Sequence, residues 1–118
     1  MATDNALQTR SYPASGDLSA SQYCFMKITG GQLAVATDDG GDAVGILQDK
    51  PAAAGRAGSI AYGGTSKVVA GGTFSAGDKI TCDGSGNAIP IGTGDTVLGT
   101  AMADGAAGKI TSVLLDRG

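Results

Sequence analysis

The sequence predicts an all-β fold, a single small barrel or sandwich-like domain of two related β units with an extended N-terminal arm, and three observations predict it. Helical spacing of apolar residues is missing, because a glycine or a pair of turn residues interrupts every stretch before three turns could form. Short runs of β formers recur instead, with turn signals every 8 to 12 residues, the rhythm of small sandwiches and barrels. Small side chains dominate: 21 Gly and 19 Ala among 118 residues, against 22 Leu, Ile, Val and Phe together. The length suits one domain, and a core this thin relies on a partner or on self-association for part of its stability.

The arm is residues 1–16. It shows neither sustained alternation nor helical spacing, and Pro13 with Ser15 and Gly16 separates it from the β domain at 17–118. Such an arm adds a strand to an exposed sheet edge of a partner, with Leu7, Thr9, Arg10 and Tyr12 as its candidate contact residues. The other reading makes it an edge strand of this domain, with Leu7 and Tyr12 packed inward.

Residues 23–29 are dense in β formers and Gly30-Gly31 turns them back into a strand over 32–36. After a turn at 38–42, strands follow at 44–48, 59–62 and 67–69, with a short helical turn or an exposed loop over 51–58, where Pro suits a first helical position. The second half repeats the rhythm at 78–82, 88–91, 96–102 and 109–115, separated by turns at 83–86, 92–95 and 104–108. Aligned on each other, residues 19–23 face 75–79, 44–46 face 98–100 and 58–60 face 108–110, at offsets of 56, 54 and 50. Two β units of about 17–70 and 71–118 account for this.

Composition excludes most chemistry. With no His, a Ser-His-Asp or Cys-His nucleophile pair and a His-ligated metal cannot be built. All 11 acidic residues are Asp, a turn former. A net charge of −3 without a basic run gives nucleic acid nothing to hold. No apolar run reaches a membrane span or forms a signal-peptide core, so a soluble product made in a reducing cytoplasm is expected, with Cys24 and Cys82 as small buried hydrophobes.

Three motifs have bland readings that are preferred. The segment from Asp83 to Asn87 spaces oxygen side chains like a calcium loop, but Ala88 and Gly94 stand where Gly and Glu are needed, so it reads as a β turn. Asp38, Asp39 and Asp42 read as a solvated loop rather than a metal site or catalytic carboxylates. Lys27, in Phe25-Met-Lys-Ile28, resembles the modified lysine of biotinyl and lipoyl carrier domains, yet it lies inside a strand and not at the tip of the turn. No catalytic residue, cofactor or metal is expected.

The order and spacing of Asp17–Tyr23, Val44–Pro51, Ser66–Gly71, Ala76–Asp78, Leu98–Ala101 and Ala107–Leu115 resemble the capsid decoration, or cement, proteins of tailed bacteriophages. The resemblance covers about residues 6–116. It implies a structural virion protein, not an enzyme, similar in role to the head decoration protein of phage lambda. Such a protein binds the outside of the expanded head and bridges neighbouring major capsid subunits, on the lambda precedent as a homotrimer, without touching nucleic acid or membrane.

Overall fold

A computed structural model of the protein describes residues 8–36, 43–92 and 96–115. Among them are nine strands and no helix: β1 Gln8–Pro13, β2 Phe25–Thr29, β3 Gln32–Val35, β4 Gly45–Leu47, β5 Ala57–Val69, β6 Lys79–Cys82, β7 Ala88–Pro90, β8 Gly99–Ala101 and β9 Ile110–Leu115. The fold is all-β, as the turn rhythm predicts, and every pair of named strands is antiparallel. The turn at 38–42 lies outside the described residues, as does most of the turn at 92–95. Residues 51–56 are a loop without helix, and Pro51 is buried where its carbonyl accepts the Leu18 N–H at 2.8 Å.

The strands run in the order β3-β2-β4-β5-β9-β8-β6-β7, with β1 also on β5. Residues 59–62 and 67–69, expected as two strands, belong to one strand of 13 residues. The Gly63-Gly64 pair looks like a turn in sequence. In the fold Gly64, at φ +87°, redirects the strand without ending it, which a residue with a Cβ does only under strain.

That strand divides the sheet into two halves with one pairing plan. In the first, β2 pairs with β3 and β4, and β4 and β1 both pair with β5. In the second, β6 pairs with β7 and β8, and β8 and the later part of β5 both pair with β9. Hydrogen bonds repeat too. Ala14 N–H donates to Arg56 C=O at 2.7 Å and Ala70 N–H to Lys109 C=O at 2.8 Å, while Tyr23 N–H donates to Leu47 C=O and Gly77 N–H to Ala101 C=O, both at 2.7 Å. Parallel bridges Ala14–Leu33 and Ala70–Ala88 curl each half back toward its own hairpin. By this geometry Ser21, not Ser19, answers Ser75, and Gly55, not Gly58, answers Gly108. Gly- and Ala-rich turns offer no distinctive side chain to fix such an alignment from sequence. The halves also meet inside β5 and not at residue 70.

Two clusters fill the interior. Met26, Leu33, Leu47 and Ile60 point to one side of the first half, where Ala14, Leu18 and Cys24 close over them. Phe25, Ile46 and Ala61 point to its other side and stack on Val68, Ile80 and Val113 of the second half. Both faces of β4 are therefore buried, and its three residues show no alternation.

The N-terminal segment corrects an expectation. Gln8–Pro13 is not an arm outside the domain: it pairs with β5 from Gln8↔Gly63 to Pro13↔Ala57. Pro13 ends the strand rather than separating an arm, a position where a missing N–H costs little.

Candidate functional site

β1 is where the sequence placed its candidate residues. Leu7 lies outside the described residues. Arg10 and Tyr12 are two apart and share one face, as strand geometry requires. Tyr12 is half-buried and packs against the cluster around Leu33 and Ile60, so its ring serves this domain's own core and is not free to fill a partner's pocket. Arg10 is exposed, opposite Ile60, with its guanidinium 5.7 Å from the centre of the Tyr62 ring. Tyr62, and after it Tyr12, hold the guanidinium above its ordinary pKa, so it carries its charge at every physiological pH. Thr9 and Ser11 face the other way, and Ser11 Oγ lies 3.4 Å from Ser59 Oγ.

Among the described residues the backbone of β1 has one free edge. Ala14 N–H is bound to Arg56 and Ser15 N–H to Leu33, on opposite sides of the chain. Alternation carries the same rule back along the strand: even-numbered residues turn toward β5, and Thr9, Ser11 and Pro13 turn outward. Thr9 and Ser11 thus hold backbone groups that an added strand could pair, and Pro13 has no N–H to offer. Beside this edge Ser11, Tyr12, Pro13, Gly55 and Ala57 line a shallow open groove.

The other motifs resolve into structure. Asp83 Oδ1 accepts the N–H groups of Ser85 at 2.9 Å and Asn87 at 3.0 Å, so the carboxylate closes its own turn. Lys27 is half-buried in mid-strand, paired with Ala34, and the turn tip belongs to Gly30 and Gly31. Asp38, Asp39 and Asp42 lie outside the described residues. Both cysteines are buried and neither forms a disulfide. Burial, and then the Asp83 charge, pushes the Cys24 thiol up, and its Sγ donates to Asn87 Oδ1 at 3.4 Å. Among the described residues no three metal-binding side chains come together, and the small, partly open pocket beside Phe25, Gly45, Tyr62 and Leu98 is about 10 Å³, room for about one water.

Comparison with known proteins then decides the family. Residues 15–115 match the family described as phage cement protein. The chain belongs to the phage cement protein family. Its fold is similar to that of the crystal structure of the head fiber gp8.5 N base in bacteriophage phi29, with a TM-score of 0.74 and 17% sequence identity over 95% of this chain and 96% of that one. No curated protein matches. The cement protein is a capsid-associated structural protein of a phage virion.

Sequence reading missed three residues of this cement protein's surface. Tyr62 was one more β former in a short strand, and its role beside Arg10 needed the β1–β5 register. Met102 and Ile110, 51% and 58% exposed, are apolar residues that β alternation alone would have flagged, since Ala101 and Thr111 beside them are buried.

Proposed function

We propose that this protein binds the outer surface of the expanded phage head and bridges neighbouring major capsid subunits, stabilising the shell against the packaged genome. The observation that carries the reading is the family match across residues 15–115. The protein is made in the host cytoplasm and works without catalysis, as a homotrimer around local threefold positions, where cyclic symmetry reuses one patch three times. The free edge of β1, with Thr9 and Arg10 exposed on it, is its candidate contact for an added strand of the capsid protein. Each contact is modest, and many copies each clasping two subunits multiply it. Incubating the purified protein with expanded, undecorated heads and imaging them by cryo-electron microscopy tests all of this. Added density bridging subunits around threefold positions supports it; bare heads, or isolated single copies elsewhere, refute it.

A further inference from the structure

The two halves share a backbone plan, yet among the described residues only one has both faces covered. Phe25, Ile46 and Ala61 lie in one row across β2, β4 and β5, and all three are buried against the second half. The matching row of the second half is Lys79, Thr100 and Leu114, across β6, β8 and β9, with Thr65 of β5 next to Leu114. Among the described residues nothing lies over that row: Lys79 is exposed, and Thr100 and Leu114 are half-exposed. Met102, whose N–H donates to Ser112 C=O at 2.9 Å, and Ile110, opposite Val69, carry the same face toward one end of the sheet. The fold thus presents a sheet face whose counterpart in the first half is solid core.

Among the described residues the charged side chains on this face are lysines. Lys67, opposite Ser112, stands on the β5 side with its Nζ 5.7 Å from the Tyr23 ring centre. Lys79 stands three strands away, about 14 Å at the usual spacing, with its Nζ 3.2 Å from Thr100 Oγ1. Leu114 and Met102 lie between them, and Ile110 beyond. The carboxylates of Asp78 and Asp104 accept the N–H groups of Ser75 and Ala76, each at 2.9 Å, in the turns beyond the face. A second copy laid on the face by a twofold axis would set lysine against lysine. What fits is a surface of another protein with an apolar centre flanked by carboxylates.

We propose that the face of β6, β8, β9 and the later part of β5, with Leu114 and Met102 between Lys67 and Lys79 and Ile110 at one end, is the surface that docks on acidic patches of the capsid shell. This deepens the proposed function and rests on it. Apolar residues excluded from water carry such an interface and the lysines tune its encounter rate and salt dependence.

The test uses purified expanded heads lacking this protein and two double variants of the full chain, Met102→Asp with Ile110→Asp, and Lys67→Glu with Lys79→Glu. All four positions are at the surface, and an unchanged urea midpoint checks folding. Binding of each variant should be weaker than wild type by tenfold or more, and the lysine variant should lose the salt dependence of the wild-type affinity. If the apolar variant fails to fold, the lysine variant decides alone. Wild-type binding with both variants equally tight overturns the docking face and leaves the capsid reading intact. Variants that bind heads normally but no longer self-associate in light scattering assign the face to a second copy, which also overturns the proposal. Wild-type protein that leaves the heads bare overturns the capsid reading itself.

Discussion

Phe25 and Lys79 hold the same place in the two halves, each opening a strand that pairs with both a hairpin partner and a short three-residue strand. Phe25 is 1% exposed and Lys79 lies open to solvent. A like backbone therefore carries opposite side-chain chemistry, because the second half covers the first and, among the described residues, nothing covers the second. A similar contrast runs through the connecting turns. Gly77, at φ +93°, is answered by Tyr23 at φ +68°, the one described residue other than glycine with a positive φ. Tyr23 is held there by the N–H bond to Leu47 C=O and by its carbonyl, which accepts from Val69 N–H at 2.9 Å, with Lys67 over its ring. The first half thus tolerates a strained backbone where the second keeps a glycine, a difference that surrounding structure must over-determine.

The largest effect should come from removing the strand that the first half owns and the second borrows from β5. Deleting residues 2–14 strips β1 from β5 and uncovers Ile60 and Leu33. Calorimetry should then find no cooperative transition; an unchanged melting temperature would return the segment to the status of a detachable arm. Next, Phe25→Ala should cost about 3–5 kcal/mol, the usual range for a buried Phe, whereas Lys79→Ala stays within about 0.5 kcal/mol. Urea midpoints that moved equally would break the covered-versus-open contrast.

Where the halves agree, paired substitutions should agree too. A Cβ on Gly45 would lie 2.5 Å from the Ala61 carbonyl oxygen, and one on Gly99 lies 2.5 Å from that of Leu114. Gly45→Ala and Gly99→Ala should each cost about 1–3 kcal/mol, the range for overpacking, because a strand carbonyl cannot swing aside as a side chain can. A neutral result at either position, read by denaturant titration, would show that its strands are not so closely set. Gly77→Ala should cost about 1 kcal/mol, while Tyr23→Gly should stay within about 1 kcal/mol of wild type, since relief of the left-handed backbone offsets the lost ring contact.

The smallest effect is acid-side. Ser19, through its Oγ at 2.6 Å and then its N–H at 2.9 Å, holds the Asp17 carboxyl below its ordinary value. A depressed folded pKa contributes stability that is present above the ordinary value of 3.8 and is lost as pH falls through the lower folded value. Full exposure keeps the contribution small. Carboxyl NMR titration should find Asp17 below 3.8 in wild type and nearer to it in Ser19→Ala.

Most strands were legible because their ends are written in turn residues. Gly30-Gly31, Asp83 to Gly86 and Asp104 to Gly108 stop strands on both sides, and the expected strands at 32–36, 78–82, 88–91 and 109–115 differ from the observed ones by a single residue. The misreadings share a cause: each depends on what lies across the sheet. Gly63-Gly64 bends β5 instead of ending it, since β9 takes up pairing where β1 leaves off. The first strand lacks alternation because Arg10 stands at the open end of its face beside Tyr62 while Tyr12, on the same face, reaches the core. The family resemblance, by contrast, needed no structure, and the surface around Met102 and Ile110 could have been found from the two apolar residues left outward when strand alternation is imposed.

β5 belongs to both halves, which binds their fates in folding. The early part of the strand is a rung for β1 and β4, and the later part is a rung for β9. Neither half can come apart without loosening a strand that the other needs, so the two are expected to open together. Its pairings also join distant parts of the chain, Gln8 to Gly63 and Gly64 to Leu115. Such loops must close before any contact rewards them, and they make assembly slow. Opening is slowed separately, because strands of both halves must lose their pairing together, a useful property for a structural protein of a virion.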